Sequence, residues 1–188
     1  MAIQRKNTLD VRKLTYVAIL TALVVVLQLL PVKIGPFEIA LSVPVIIIGA
    51  ALCGVGAGAW LGCVFGLVVM FLPGTQAYLT FYDDSLVYSA FCTILVVFGK
   101  GALAGVFAAL VYKLCEKVNR YFAVFISAIV ATVTNTSIFL LGSVLFFQQG
   151  VALVVSVFIS WNFVIELAVN MLLAPIIYRI INIKKTKQ

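Results

Sequence analysis

The chain has 188 residues, 64% of them hydrophobic and only 10% charged, with a mean hydropathy of +1.23. That profile excludes an ordinary soluble domain and requires a backbone that satisfies its own hydrogen bonds in lipid, as a helix bundle or a closed barrel does; long apolar runs without alternation select helices. The net charge of +7 does not signal nucleic acid, because eleven of the thirteen Lys and Arg form three clusters beside apolar runs: Arg5, Lys6, Arg12 and Lys13; Lys113, Lys117 and Arg120; Arg179, Lys184, Lys185 and Lys187.

In chain order, the first helix is expected over 11–30, ending where Pro31 removes an amide donor. It is too long for a signal-peptide core and lacks a cleavage pattern, so it is expected to be retained. After the short connection "PVKIGPFE", a second helix is expected over 39–53, with Pro44 inside it, and a third over 56–72, ending at "PG". The segment 73–90, "PGTQAYLTFYDDSLVYSA", is too polar to span and is expected to be an aromatic outer loop. Apolar character resumes at 91, first as an interfacial start and then as the fourth span, over 96–117; the fifth is expected over 121–147 and the sixth over 151–181, with Pro175 near its end.

The expectation is thus an all-α integral membrane protein. It is a six-transmembrane-helix bundle in a single domain, 1–188, lying in a cell membrane of bacterial plasma-membrane type. Six spans with both termini cytoplasmic put all three basic clusters inside, as positive-inside placement requires.

Two charged side chains fall well within the spans, Lys100 and Glu166. A lone charge there costs at least about 2.5–3.5 kcal/mol on insertion scales, so each should face the bundle interior or a wet cavity and find a partner. Asn162, Glu166 and Asn170 recur at four-residue intervals, on one helical face. The run "ATVTNTSIF" adds Thr132, Thr134, Asn135, Thr136 and Ser137. Hydroxyls in membrane helices often bond their own backbone, but an amide with two donors and an acceptor wants a neighbour or a ligand. The rise of about 1.5 Å per residue brings Lys100, Asn135 and the Asn162–Asn170 face to comparable depths. Two explanations stay open: a ligand site in which Lys100 meets an anionic or polar group, or a buried Lys100–Glu166 ion pair without a ligand. Trp161 either stacks on a ligand or is an interfacial aromatic. Tyr88, with Tyr78, Phe81 and Tyr82, belongs either to a lid or to an aromatic belt.

Gly54, Gly58, Gly62 and Gly66 form a stripe that lets a neighbouring backbone approach helix three closely, and Ala18 and Ala22 make a smaller patch on helix one. The four cysteines stand singly and there is no histidine, so no metal site or disulfide framework is expected, and no cofactor. Nucleotide-binding and hydrolase motifs are missing too. An enzyme is therefore not expected, although an intramembrane enzyme or assembly factor using Glu166 and Lys100 remains the alternative from another class.

A six-helix chain of this length with AxxxA at Ala18 and Ala22 resembles the substrate-binding S components of energy-coupling factor vitamin transporters. The resemblance implies a vitamin pocket built by helices four to six and the outer loops. It also implies a transmembrane coupling subunit met through the Ala18–Ala22 face, two ATPase subunits, and a reorientation driven by ATP hydrolysis in those partners. Within that family, the small-residue helix three, Lys100 before a GxxAG-like turn, and Thr134–Asn135–Thr136 are most similar to the pantothenate group. Ser42 stands where the riboflavin group tends to carry an acid, and "LPGTQAY" only partly echoes the folate-type loop. Riboflavin, folate, pyridoxine-type vitamins and niacin remain alternatives. On this resemblance the ligand-binding residues are Lys100, Asn135, Asn162, Glu166, Asn170, Trp161, Thr134 and Tyr88.

Overall fold

The first apolar run continues without a break into the basic residues before it, as helix α1, Ala2–Leu29. It begins a computed structural model that describes residues 2–30, 32–34, 37–39, 41–72, 86–147 and 161–186. Five further helices follow among these residues: α2, Ser42–Cys53; α3, Val55–Met70; α4, Leu86–Cys115; α5, Arg120–Phe147; and α6, Trp161–Thr186.

Several boundaries differ from expectation. The second helix starts at Ser42 and not at 39: β1, Val32–Ile34, and β2, Phe37–Ile39, form an antiparallel ribbon before it. Val32, Ile34 and Ile39 are β-branched, so local propensity favours strands over a helical turn. The ribbon's register sets Lys33 opposite Glu38. Residues 86–90, expected in the outer loop, open α4, which runs 30 residues as one helix in place of an interfacial start plus a span. Residues 73–85 and 148–160 lie outside the described residues, and with them most of the aromatic loop and the expected beginning of the sixth helix.

Four helices carry segments long and apolar enough to cross a membrane, Val11–Leu29, Ala90–Cys115, Arg120–Phe146 and Phe163–Ile183, as befits a multi-pass membrane protein. The other two are shorter. α2 has 12 residues and α3 has 16; at about 1.5 Å per residue they are about 18 and 24 Å long against a hydrocarbon core of about 30 Å. They form a hairpin turned on one residue, Gly54, whose φ of 93° lies where side chains are strained. Its N–H donates to the Ala50 carbonyl at 3.0 Å while its own carbonyl accepts from Gly58 N–H at 3.1 Å. Gly54 therefore belongs to the turn, not to the packing stripe proposed for it: a methyl group there would meet nothing within 4 Å.

Gly58, Gly62 and Gly66 do form a seam. A Cβ on Gly66 would stand 2.6 Å from the Val97 carbonyl oxygen, and one on Gly58 would stand 2.7 Å from that of Gly105. Gly62 and Gly101 approach closer still, each backbone occupying the space a side chain on the other would need. The GxxAG segment at Gly101–Gly105 is thus helix interior and not a turn, and supplies the second half of this seam.

Neighbouring helices run antiparallel. Ser42 Oγ donates to Gln28 Oε1 at 2.8 Å between α1 and α2, Gly142 of α5 abuts Val96 of α4, and Arg120 Nη1 donates to Asn182 Oδ1 at 3.2 Å between α5 and α6. This alternation gathers Lys113, Lys117, Arg120 and Arg179 at one end, the basic end; Ser42, Met70, Leu86 and Trp161 mark the other, the loop end. Toward the basic end the core is made of small and branched apolar side chains, with Ala108, Ala123, Ala128, Ala131 and Ala174 packed among Ile47, Ile177 and Ile181. A second core, of Val24, Val45, Ile46, Leu61 and Phe65, joins α1 to the α2–α3 hairpin.

Candidate functional site

The site is built from the α5–α6 interface upward. Asn170 is fully buried, and its Nδ2 donates to Thr132 Oγ1 at 2.9 Å; Thr132 Oγ1 in turn donates to the Ala128 carbonyl at 3.0 Å. The hydroxyl thus bonds its own helix and accepts from the next. Asn170 Oδ1, in contrast, has no partner among the described residues. A buried acceptor left unmade costs about 1–3 kcal/mol, so an unmet one in a well-packed interface asks what would satisfy it.

One turn toward the loop end, the antiparallel pairing sets Glu166 of α6 level with Asn135 and Thr136 of α5. Glu166 is only 8% exposed, and its Oε1 also lacks a partner. Asn135 is half-buried, but its Oδ1 is shielded from solvent and likewise unmet. Three acceptor oxygens from two adjoining helices therefore stand in the interior without donors among the described residues.

The nearby cation is Lys100, on α4. Its Nζ lies 4.9 Å from the Phe139 ring centroid and 5.9 Å from that of Phe65. Both rings are within the distance at which an aromatic face attracts a cation. Glu166 acts on Lys100 through its charge, yet no hydrogen bond reaches Glu166 Oε1 among the described residues. The two helices that carry these charges do not pack on each other; α5 and α2 stand between them. Lys100 thus has rings, not carboxylate oxygens, as its immediate neighbours among the described residues. The arrangement can hold a molecule that brings negative charge to the ammonium and hydrogen-bond donors to the oxygens.

Of the residues predicted from the sequence, the structure brings together Lys100, Asn135, Glu166 and Asn170. Thr134 is half-buried on α5 beside Asn135. Trp161 is 72% exposed at the start of α6. The side chains of Asn162 and Tyr88 lie outside the described residues. Ala18 and Ala22 are both exposed on α1, flanked by exposed Leu14, Ile19 and Leu23. The sequence had not pointed to Thr93, buried on α4 with an unmet hydroxyl, or to the two phenylalanines around Lys100. One threonine or phenylalanine among many in apolar helices carries no distinguishing signal; the approach of Phe139 to Lys100, 4.9 Å from ring centroid to Nζ, exists only across helices.

A family model described as ECF transporter, substrate-specific component, matches residues 12–178. Among curated proteins, no match was found.

Proposed function

The chain belongs to the substrate-specific components of ECF transporters, and from that premise we propose that it captures a water-soluble vitamin, pantothenate, on the face shared by α4, α5 and α6. The family is a transport family, whose members bind a small-molecule substrate and work with the membrane and ATPase subunits of the ECF module. The observation that carries the pantothenate reading is the match between unmet groups and ligand chemistry. Pantothenate has one carboxylate, two hydroxyls and one amide N–H; Lys100 answers the carboxylate, and the three donors answer Asn135 Oδ1, Glu166 Oε1 and Asn170 Oδ1. Phe65 and Phe139 offer apolar surface for its methyl groups. In this reading Asn162 and Thr134 extend the polar wall, while Trp161 and Tyr88 close the loop end over it. Ala18 and Ala22, exposed on α1, form the contact with one transmembrane coupling subunit that works with two ATPases.

Mass spectrometry of small molecules released from the purified, denatured protein tests the reading. Pantothenate should appear at near-equimolar yield, and should be lost from Lys100→Ala and Asn162→Ala. Since a hydrogen bond to a charged group contributes about 1.5–3 kcal/mol, removing Lys100 should weaken binding roughly 10- to 150-fold. A pyridoxine-type vitamin would satisfy the same acceptors with its hydroxyls while leaving Lys100 unanswered. Its recovery, with binding that survives Lys100→Ala, would replace pantothenate in this account.

A further inference from the structure

Glu166 and Asn135 present two buried, unmet acceptor oxygens at the same level of adjoining helices. Two acceptors facing one interior repel unless a proton or a donor lies between them. Lys100 on α4 is the cation whose charge offsets that of Glu166, and among the described residues aromatic faces are its immediate neighbours. With nothing bound, one positive and one negative charge balance. An anion that docks on Lys100 breaks this balance and leaves a net negative charge in a low-dielectric interior, where an uncompensated charge takes up a proton in preference to remaining ionised.

We infer that Glu166 takes up one proton from solvent when an anionic ligand engages Lys100, so that the neutral carboxyl group can donate to Asn135 or to the ligand. The step makes one O–H bond on the Glu166 carboxylate and breaks none in the ligand, and the proton comes from bulk water or buffer. Pantothenate capture at this site, on which the ligand half of the inference rests, is then proton-coupled.

The charged and titratable surroundings leave this exchange to Glu166. α5 contributes Asn135 and Thr136 at this level and carries its charge, Arg120, at the basic end. The other helix packed on α6, α2, has no Asp, Glu, Lys or Arg and only Cys53 at its far end. β2, which also packs on α6, carries Glu38 opposite Lys33. α4 contributes Lys100, with Cys92 toward the loop end and Tyr112 toward the basic end; Tyr178 and Arg179 of α6 lie three turns or more below Glu166. Asp83 and Asp84 fall in 73–85, outside the described residues. The sign is fixed by linkage: a group that gains a proton on binding titrates higher in the loaded protein. Affinity is therefore full below the pH at which free Glu166 titrates. It falls about tenfold per pH unit above it, until the loaded protein loses the proton too.

Two measurements test the inference, one of them independent of any ligand. Infrared spectra of Lys100→Met, the cation gone, should show the C=O stretch of a protonated carboxylic acid at neutral pH, absent from Lys100→Met/Glu166→Gln. Calorimetric titration of the intact protein with pantothenate, at a pH above that at which free Glu166 titrates and in buffers of different ionisation enthalpy, should give uptake approaching one proton, and none in Glu166→Gln. Pantothenate binding without proton uptake overturns the inference. So does a folded Lys100→Met variant lacking the carboxylic acid band. If pantothenate does not bind but the band appears, the charge linkage stands and the ligand assignment fails; if Lys100→Met does not fold, calorimetry on the intact protein decides.

Discussion

α4 separates two interfaces built on opposite principles. Toward α3 it presents Gly101 and Gly105, and two backbones meet with no room for a side chain on either. Toward α5 it brings Lys100 beside Phe139, and the α5–α6 interface beyond holds oxygens of Asn135, Glu166 and Asn170 that lack donors among the described residues. The first interface is closed and depends on shape. The second is unfinished, and its unmet groups are what a ligand can complete. In a membrane, where apolar contact with lipid is as good as apolar contact with protein, close approach of small residues is what holds two helices together. A protein that leaves one side of a helix polar and incomplete needs the other side fixed.

Substitution in the glycine seam should have the largest effect. Gly62→Val places side-chain atoms on the Gly101 backbone, which cannot rotate away as a side chain could; overpacking of this kind costs about 1–3 kcal/mol and sometimes more. The expected result is a sharp loss of folded protein in detergent, read by size-exclusion chromatography and thermal unfolding. A stable Gly62→Val variant would mean that α3 and α4 can part without consequence, and the contrast would collapse.

On the polar side the expectation reverses. Asn170→Leu removes one unmet acceptor and one hydrogen bond of 2.9 Å, while Thr132 keeps its bond to the Ala128 carbonyl. Replacing a half-satisfied polar group by an apolar one of similar size is close to neutral or stabilising. The variant should melt within about 1 kcal/mol of the parent, or above it, and retain less ligand. A large loss of stability would show that Asn170 is structural.

Smaller again is the effect expected at Phe139. Phe139→Leu keeps apolar volume and removes the closer of the two rings around the ammonium, worth about 0.5–2 kcal/mol as a cation–π contact. Ligand affinity should change by roughly 2- to 30-fold, with expression and melting little altered.

At the basic end, Asn119 Oδ1 accepts from the backbone N–H groups of Tyr121 and Phe122 at 2.8 and 3.3 Å, an N-cap for α5. Asn119→Ala should cost about 1 kcal/mol of stability and leave ligand retention unchanged, since the cap is far from the polar layer. Equal damage to both would mean that the two regions are not separable.

Much of this architecture is legible in the residues one at a time. The helical class, the approximate positions of six apolar segments and the exceptional status of Lys100, Glu166, Asn135 and Asn170 all follow from hydropathy and from the cost of polar groups in lipid. So does the gathering of basic residues at one end, because charge clusters mark helix ends wherever the helices pack. Boundaries were less accessible. The strands at 32–34 and 37–39 lie in what reads as a plain connection, and α2 starts at Ser42 because Ile39 pairs in the ribbon instead of opening the helix; α4 begins earlier than expected because its first turn is aromatic and polar without being a loop.

What the sequence determined by itself was therefore composition in depth: which residues are too polar for their surroundings and which are too small to be filling space. Only the tertiary structure decided their partners. Gly54 became a turn while Gly58, Gly62 and Gly66 became a seam because φ at Gly54 and the approach of α4 distinguish them, and neither is encoded in a four-residue spacing. Likewise Lys100 meets Phe65 and Phe139, and Asn170 meets Thr132, across helix interfaces whose register is set by the sum of many weak packing contacts. A buried polar group announces in the sequence that it must be answered, but which atom answers it is a matter of register between helices far apart in the chain.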